Sequence, residues 1–504
     1  MKRIRHRLFA SLTLTILSVR PFYGQQPAAQ TAPPETAQQR VERLSAAVSQ
    51  VQAQMEAYKT QLQELQTQLG LLREQLAKDS GTVGTSGTVA ATKREDGAAT
   101  SAAVDEIKER QAIDESQLAT HEQSKVETSS KYPLKITGLL LFNSYVNTRG
   151  VDVPVNPTYA LGGGGTSGFS LRQTVLGFDA RGPRLYGATS YADLRVDFFG
   201  SSGSQTAYAS TGLLRLRTAH AGLKWTNTEA FVALDRPLIA PNIPTSLVAA
   251  SQSNLAWSGD LWMWVPQVGV THSIGVGESK RINVQAAFIE APDPLLPGAA
   301  PTVNVSRVER SRWPGTEARI AFASGERGVG PEIGIGGYFS PHKTSEGARF
   351  NAWAGTADLR LPIGRHFEFT SNAYRGQALG GLGGSGYVDY YYYGKVSGAE
   401  GTHALDDVGG WAQLKGRVSE RLQFNGGFGI DNPFATEIRA AAADPVYGAS
   451  YAGLAKNRSV FGNVIYSPSS YLLFSLEYRK QRTGFANQPT QSNDVIGIGA
   501  GYKF

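Results

Sequence analysis

The feature that most limits this chain is a change of period: from Lys131 to Phe504, apolar residues recur at every second position. The last segment shows it plainly. Ile496, Ile498, Ala500, Tyr502 and Phe504 share one face, while Gly497, Gly499, Gly501 and Lys503 share the other. The same alternation sets Leu472, Phe474, Leu476 and Tyr478 against Ser475, Glu477 and Arg479, and Leu422, Phe424, Phe428 and Ile430 against Gln423 and Asn425. Ala318, Ile320 and Phe322 stand likewise against Glu317 and Arg319. Side chains of a strand point alternately to its two faces, so one face meets an apolar medium and the other a polar or crowded one. Each segment runs roughly ten residues, the length a tilted strand needs to cross a bilayer.

Counting these segments predicts sixteen strands, at 131–147, 169–181, 184–199, 211–225, 228–235, 265–276, 280–291, 315–325, 330–340, 349–361, 364–376, 407–419, 421–430, 455–467, 470–480 and 495–504. The connections sort by length. After even strands they are short, as at Gly182 and Pro183, Thr226 and Asn227, Pro362 and Ile363, Glu420, and Pro468 and Ser469. After odd strands they lengthen, above all at 236–264, 377–406 and 431–454. Short turns at one end and long loops at the other, with an even strand number, describe an all-β transmembrane barrel of sixteen antiparallel strands over 131–504. A soluble sandwich has no reason to sort its loops this way.

The N-terminal part obeys other rules. Met1 to Arg7 is basic, an apolar stretch follows from Leu8 to Val19, and Pro21 and Gly24 break it, so 1–24 reads as a secretory signal peptide. Residues 25–39, rich in Pro, Ala, Gln and Thr, form a disordered lead. Over 40–78, Val41, Leu44, Val48, Val51, Met55, Tyr58, Leu62, Leu65, Leu69, Leu72 and Leu76 follow alternating steps of three and four without a slip. That is the seam of an α-helical coiled coil; its flanks of Gln, Glu, Lys and Ser cannot pack in a broad core, so the helix self-associates. Residues 79–130 form a linker, with weak helical spacing of Val104, Ile107 and Leu118.

Composition narrows the chemistry. With no cysteine, disulfides, thiolate metal sites and cysteine nucleophiles are excluded. The net charge of +7 is modest, part of it sits in the leader, and no basic run or recognition motif points to nucleic acid. The glycine runs at 162–165 and 379–386 lack the Lys-Ser/Thr and strand-loop-helix setting of a phosphate loop. His220, His272 and His366 lie on or beside strands, but no Ser and acid, and no metal-ligand spacing, accompany them. The expectation is a protein that is not an enzyme and carries no cofactor.

The stretch LRQTVLGFDARGPRLYGATSYADLRVDFFG, from Leu171 to Gly200, with the run from Leu214 to Ala221, resembles the DcaP-like trimeric outer-membrane porins, relatives of phosphate- and anion-selective porins. The likeness extends over the coil and the barrel. It implies a homotrimer in the outer membrane, a coil in the periplasm, and diffusion of small anionic solutes, dicarboxylates in some members. After the fifth strand the chain keeps Asp235, Arg236 and Pro237 but departs from the family's Trp-Ser pattern. Tyr502 and Phe504 look like the C-terminal signal read by the barrel-assembly machinery. Lipid, lipopolysaccharide and, for the coil, peptidoglycan are the other expected partners.

Strand parity then names the pore-facing charges: Arg215, Arg217, Arg319, Arg360, Lys415 and Arg417, with Asp193, Asp197, Glu317 and Asp358 on the same side. Lumen arginines draw anions through a confined water column. Alternatively, acids and bases pair across strands and brace the wall. The loop at 236–264, with Asp235, Arg236, Asp260, Trp257, Trp262 and Trp264, is either a constriction folded into the pore or an external lid or trimer contact. The run from Asp389 to Tyr393 either stacks solutes or extends a strand. Function follows as passive diffusion through a charged constriction, or as an anchor for the coil with a closed barrel.

Overall fold

The structure, a computed structural model, describes residues 133–200, 212–294, 305–325, 329–392, 401–443 and 453–504. The leader at 1–24, the lead at 25–39, the coil at 40–78 and the linker at 79–130 lie outside the described residues.

The described chain is built of strands. In order they are β1 (Leu134–Val151), β2 (Ala160–Ser170), β3 (Val175–Leu185), β4 (Ala188–Gly200), β5 (Leu213–Lys224), β6 (Thr228–Asp235), β7 (Val265–Gly275) and β8 (Lys280–Ile289). There follow β9 (Gly315–Ser324), β10 (Glu332–Lys343), β11 (Arg349–Ile363), β12 (Phe367–Gln377), β13 (Tyr390–Tyr392), β14 (Thr402–Ala404) and β15 (Asp406–Ser419). The last four are β16 (Leu422–Pro433), β17 (Leu454–Tyr466), β18 (Leu472–Phe485) and β19 (Gln491–Lys503). Two short helices, α1 (Arg307–Ser311) and α2 (Ala435–Ala443), sit in connections.

Neighbouring wall positions pair antiparallel all round the sheet, and β1 pairs with β19 from Leu139 opposite Lys503 to Asn147 opposite Val495. That pairing closes the sheet on itself and removes its edges, the condition for strands to stand in hydrocarbon. At the seam Gly138 and Phe504 exchange backbone hydrogen bonds of 2.8 and 3.1 Å. A Cβ on Gly138 would fall 2.2 Å from the Phe504 ring, so the terminal aromatic needs glycine there.

Seventeen strands make this sheet, yet it has sixteen wall positions, because β2 and β3 succeed one another along β1. The sequence reading placed one strand at 169–181. The break comes at 171–174, where Gln173 turns inward: its amide donates to Val248 O at 2.7 Å and accepts from the N–H groups of Ala250 and Ser251. The expected turn at Gly182 and Pro183 is also displaced. The strand runs through them with a bulge and reverses at Tyr186 and Gly187, whose φ values of 51° and 79° make the left-handed turn that suits a hairpin. Tyr390–Tyr392 pairs with Thr402–Ala404 as a separate two-stranded ribbon, so the tyrosine run is extended but does not prolong a wall strand.

The two faces divide as the alternation requires. On β18, Leu472, Phe474, Leu476 and Tyr478 are exposed outward, while Ser475, Glu477, Arg479, Gln481 and Thr483 are buried inward. Tyr466, Tyr471 and Tyr502 add aromatic side chains to the outer face near one rim. An apolar outer band with aromatic edges is what a bilayer selects. A sixteen-stranded barrel is wide enough for an aqueous lumen. Here loops enter it, which is why inward polar residues are buried.

Candidate functional site

The loop L3 (236–264) lies inside the barrel and is laced to the wall around much of its circumference. Ile239 O accepts from Thr356 Oγ1 at 2.9 Å, Asn242 Nδ2 donates to Ser371 O at 3.0 Å, and Thr245 N donates to Gln413 Oε1 at 2.6 Å. Ser246 Oγ donates to Glu477 at 2.6 Å. The loop then passes Gln173 and returns, with Asn254 O accepting from Arg479 at 2.8 Å and Trp257 O from Asn457 at 2.8 Å. The glycine face of β19 makes room for it: a Cβ on Gly497 would meet Val248 at 2.3 Å. Of the two readings of this loop, the structure has the one folded into the lumen.

Arg236 closes the loop's base. Its guanidinium pairs with the buried Asp260 and donates to Asn242 O at 3.1 Å. Asp235 accepts from His220 Nε2 at 2.8 Å, and the other ring nitrogen of His220 meets Asp193 at 2.9 Å. These two predicted site residues therefore hold the loop in place.

The predicted wall cations divide. Arg319 is buried, bonded to Asp358 at 2.8 and 2.6 Å and to Glu332 at 2.8 Å. Arg360 reaches Glu332 at 3.4 Å, and Lys415 reaches Glu368 at 3.1 Å. Arg215 takes a fork of bonds to Asp197, 3.0 and 2.7 Å, the acid coming from β4 rather than its own strand. Arg417 is exposed at the turn end of β15. Arg217 differs from the paired residues. Among the described residues it makes no hydrogen bond or ion pair, and its guanidinium lies 5.3 Å from the Trp264 ring, near that of Arg215 at 5.0 Å. The register shows why it is freed: Thr218 opposes Arg195 and Leu216 opposes Val196, leaving Arg217 as the extra residue of a bulge.

Arg217 opens on a cavity of about 700 Å³. Arg195, Asp235, Trp262, Trp264 and Lys503 share its walls, with Leu139, Val175, Ile243 and Leu247 forming an apolar ledge. Parity could have found Arg195, since Asp193 and Asp197 on its own strand were assigned inward; it pairs with Asp179 at 2.6 Å.

A second loop, L6 (378–405), fills more of the lumen. Tyr387 stacks on Trp257 of L3 with ring centroids 3.4 Å apart, and its hydroxyl meets Thr158 at 2.7 Å. The backbone N–H groups of Ser385 and Gly386 donate to the buried Asp407 and Asp431 at 2.8 and 2.9 Å, and Tyr374 donates to Asp431 at 2.6 Å. Asp389, in the loop itself, accepts from Gly380 N at 2.8 Å and pairs with Arg307 of α1. Burial raises its carboxyl to about 6, against the pull of Arg307. No pattern in the sequence linked these residues.

No family model matches the chain, and no curated relative matches it. Solved structures do. The outer membrane channel DcaP of Acinetobacter baumannii matches at TM-score 0.55 and 16% identity, over 74% of this chain and 99% of that one. An anion-selective porin from Comamonas acidovorans covers 74% of this chain and 100% of its own at TM-score 0.45 and 10% identity. OprB of Pseudomonas putida covers 74% and 94%, also at 0.45 and 10%. By fold, then, this chain is a closed barrel of sixteen antiparallel wall positions, similar to that of the DcaP channel.

Proposed function

We propose that this protein is a trimeric outer-membrane porin that passes small anionic solutes, dicarboxylates among them, by diffusion through the lumen beside L3. The observation that carries this reading is Arg217: one unpaired guanidinium on the wall of the cavity, whereas Arg172, Arg195, Arg215 and Arg319 are held by carboxylates or backbone carbonyls. A fixed positive charge in a low-dielectric wall concentrates anions and repels cations. Trp264 beneath it keeps the guanidinium from swinging back to the wall. The reading needs no covalent step and no cofactor. The apolar outer band supports a place in a bilayer, and the coil at 40–78 supplies a trimerisation element on the periplasmic side.

Planar-bilayer recording tests it. The expected result is conductance in three equal steps, with a reversal potential in a salt gradient that shows anion preference; a cation preference overturns it. A second reading, a closed barrel that anchors the coil, is favoured by the filling of the lumen by L3 and L6. It predicts no steady conductance in the same recording.

A further inference from the structure

At the barrel end away from the chain termini, the outer face carries a patch that the pore does not use. Lys456 and Arg458 on β17, and Lys480 and Arg482 on β18, occupy even positions, the parity of the outward Val460, Leu476 and Tyr478. Arg458 stands directly opposite Arg482 in the register, Lys480 opposite Val460, and Lys456 opposite Gly484. Like charges facing each other across a strand pair destabilise it. Among the described residues one acid lies within reach: Asp494 is 3.6 Å from Lys480 and accepts from the Tyr478 hydroxyl at 2.6 Å. Among the described residues, Lys456, Arg458 and Arg482 make no side-chain hydrogen bond or ion pair. Between them is a cleft of about 120 Å³ lined by Lys456, Arg458, Arg482, Gly484 and Thr490.

The depth of the patch identifies its partner. Along β18 the outward apolar residues run from Leu472 to Tyr478, and Tyr478 marks the edge of the band, as tyrosine does at membrane interfaces. Lys480 and Arg482 follow by two and four residues, at roughly 7 and 14 Å of strand, which is headgroup level. Termini lie on the periplasmic side of such barrels, so this headgroup layer is that of the outer leaflet. Paired guanidinium groups bind phosphate oxygens with two parallel hydrogen bonds each, and a phosphate between Arg458 and Arg482 turns their repulsion into a shared contact.

We propose that Lys456, Arg458, Lys480 and Arg482 form a binding site for the phosphorylated headgroup of an outer-leaflet glycolipid. The test is native mass spectrometry of the full-length protein in detergent, titrated with bisphosphorylated lipid A. Wild type should retain the lipid, and R458Q/R482Q should bind it at least about tenfold more weakly. Should that variant fail to give the heat-modifiable band of a folded barrel, K456Q serves instead, with a loss of about threefold. K280Q, at the opposite rim, should bind as wild type does. Unchanged binding by the patch variants, an equal loss in K280Q, or displacement of the lipid by equimolar inorganic phosphate overturns the proposal.

Discussion

Two stretches of the inner wall carry the same sequence signal and put it to different use. On β9 to β11, Arg319 is enclosed by Asp358 and Glu332, with Arg360 sharing the latter. On β4 and β5, Arg215 is claimed by Asp197, but Arg217, two residues on, is displaced by a bulge and left against Trp264. An inward arginine is a brace where a nearby strand brings an acid within reach, and is left open to the lumen where none does. The cost of desolvating a guanidinium decides between them: a buried one is kept charged by carboxylates, whereas one on the wall of an open cavity needs none.

The largest expected effect breaks the braced side. Asp358→Ala leaves Arg319 buried with Glu332 as its one carboxylate and the Gln285 amide, and should cost on the order of 3 kcal/mol in unfolding from liposomes, with ion selectivity little changed. Next, Gly497→Val puts methyl groups where Val248 already sits, so L3 must shift at a cost of about 1–3 kcal/mol. Single-channel conductance should change with it; unaltered conductance would show that L3 does not set the passage.

Arg217→Ala sharpens the other side of the comparison. It should leave stability within about 1 kcal/mol, since no ion pair is lost, and lower the anion-to-cation permeability ratio by roughly threefold. Arg215→Ala, by contrast, should act first on stability, because it strands the buried Asp197. Equal selectivity changes in the two variants would erase the distinction drawn between them.

The smallest effect concerns pH. Asp389 is raised to about 6 in place, from an ordinary value of 3.8, so the ordered loop binds a proton more readily than a released one does. Its contribution to holding L6 is therefore full below about pH 4 and declines as pH rises through about 6. Hydrogen exchange in the 378–392 segment should quicken over that window and not below it.

Much of the wall could be read directly. Alternation from Leu472 to Tyr478 and from Val495 to Lys503 follows from the backbone, since a strand exposes its two faces at a period of two whatever surrounds it. Loop sorting added strand number and direction. The reading failed where tertiary contacts override local pattern. Gln173 interrupts the second wall position because it binds L3, some 75 residues away in sequence. Pro183, a turn signal by itself, is absorbed by a bulge, and Tyr186 and Gly187 make the reversal.

Sequence by itself thus determined the barrel, its outward face and the set of residues that point inward, because each depends on spacing along one strand. Tertiary structure alone decided which inward charges are spent on the wall, that Arg217 stays unpaired on the cavity, and that L3 lies inside. Those outcomes depend on register between strands and on partners far apart in the chain, and no local period encodes either.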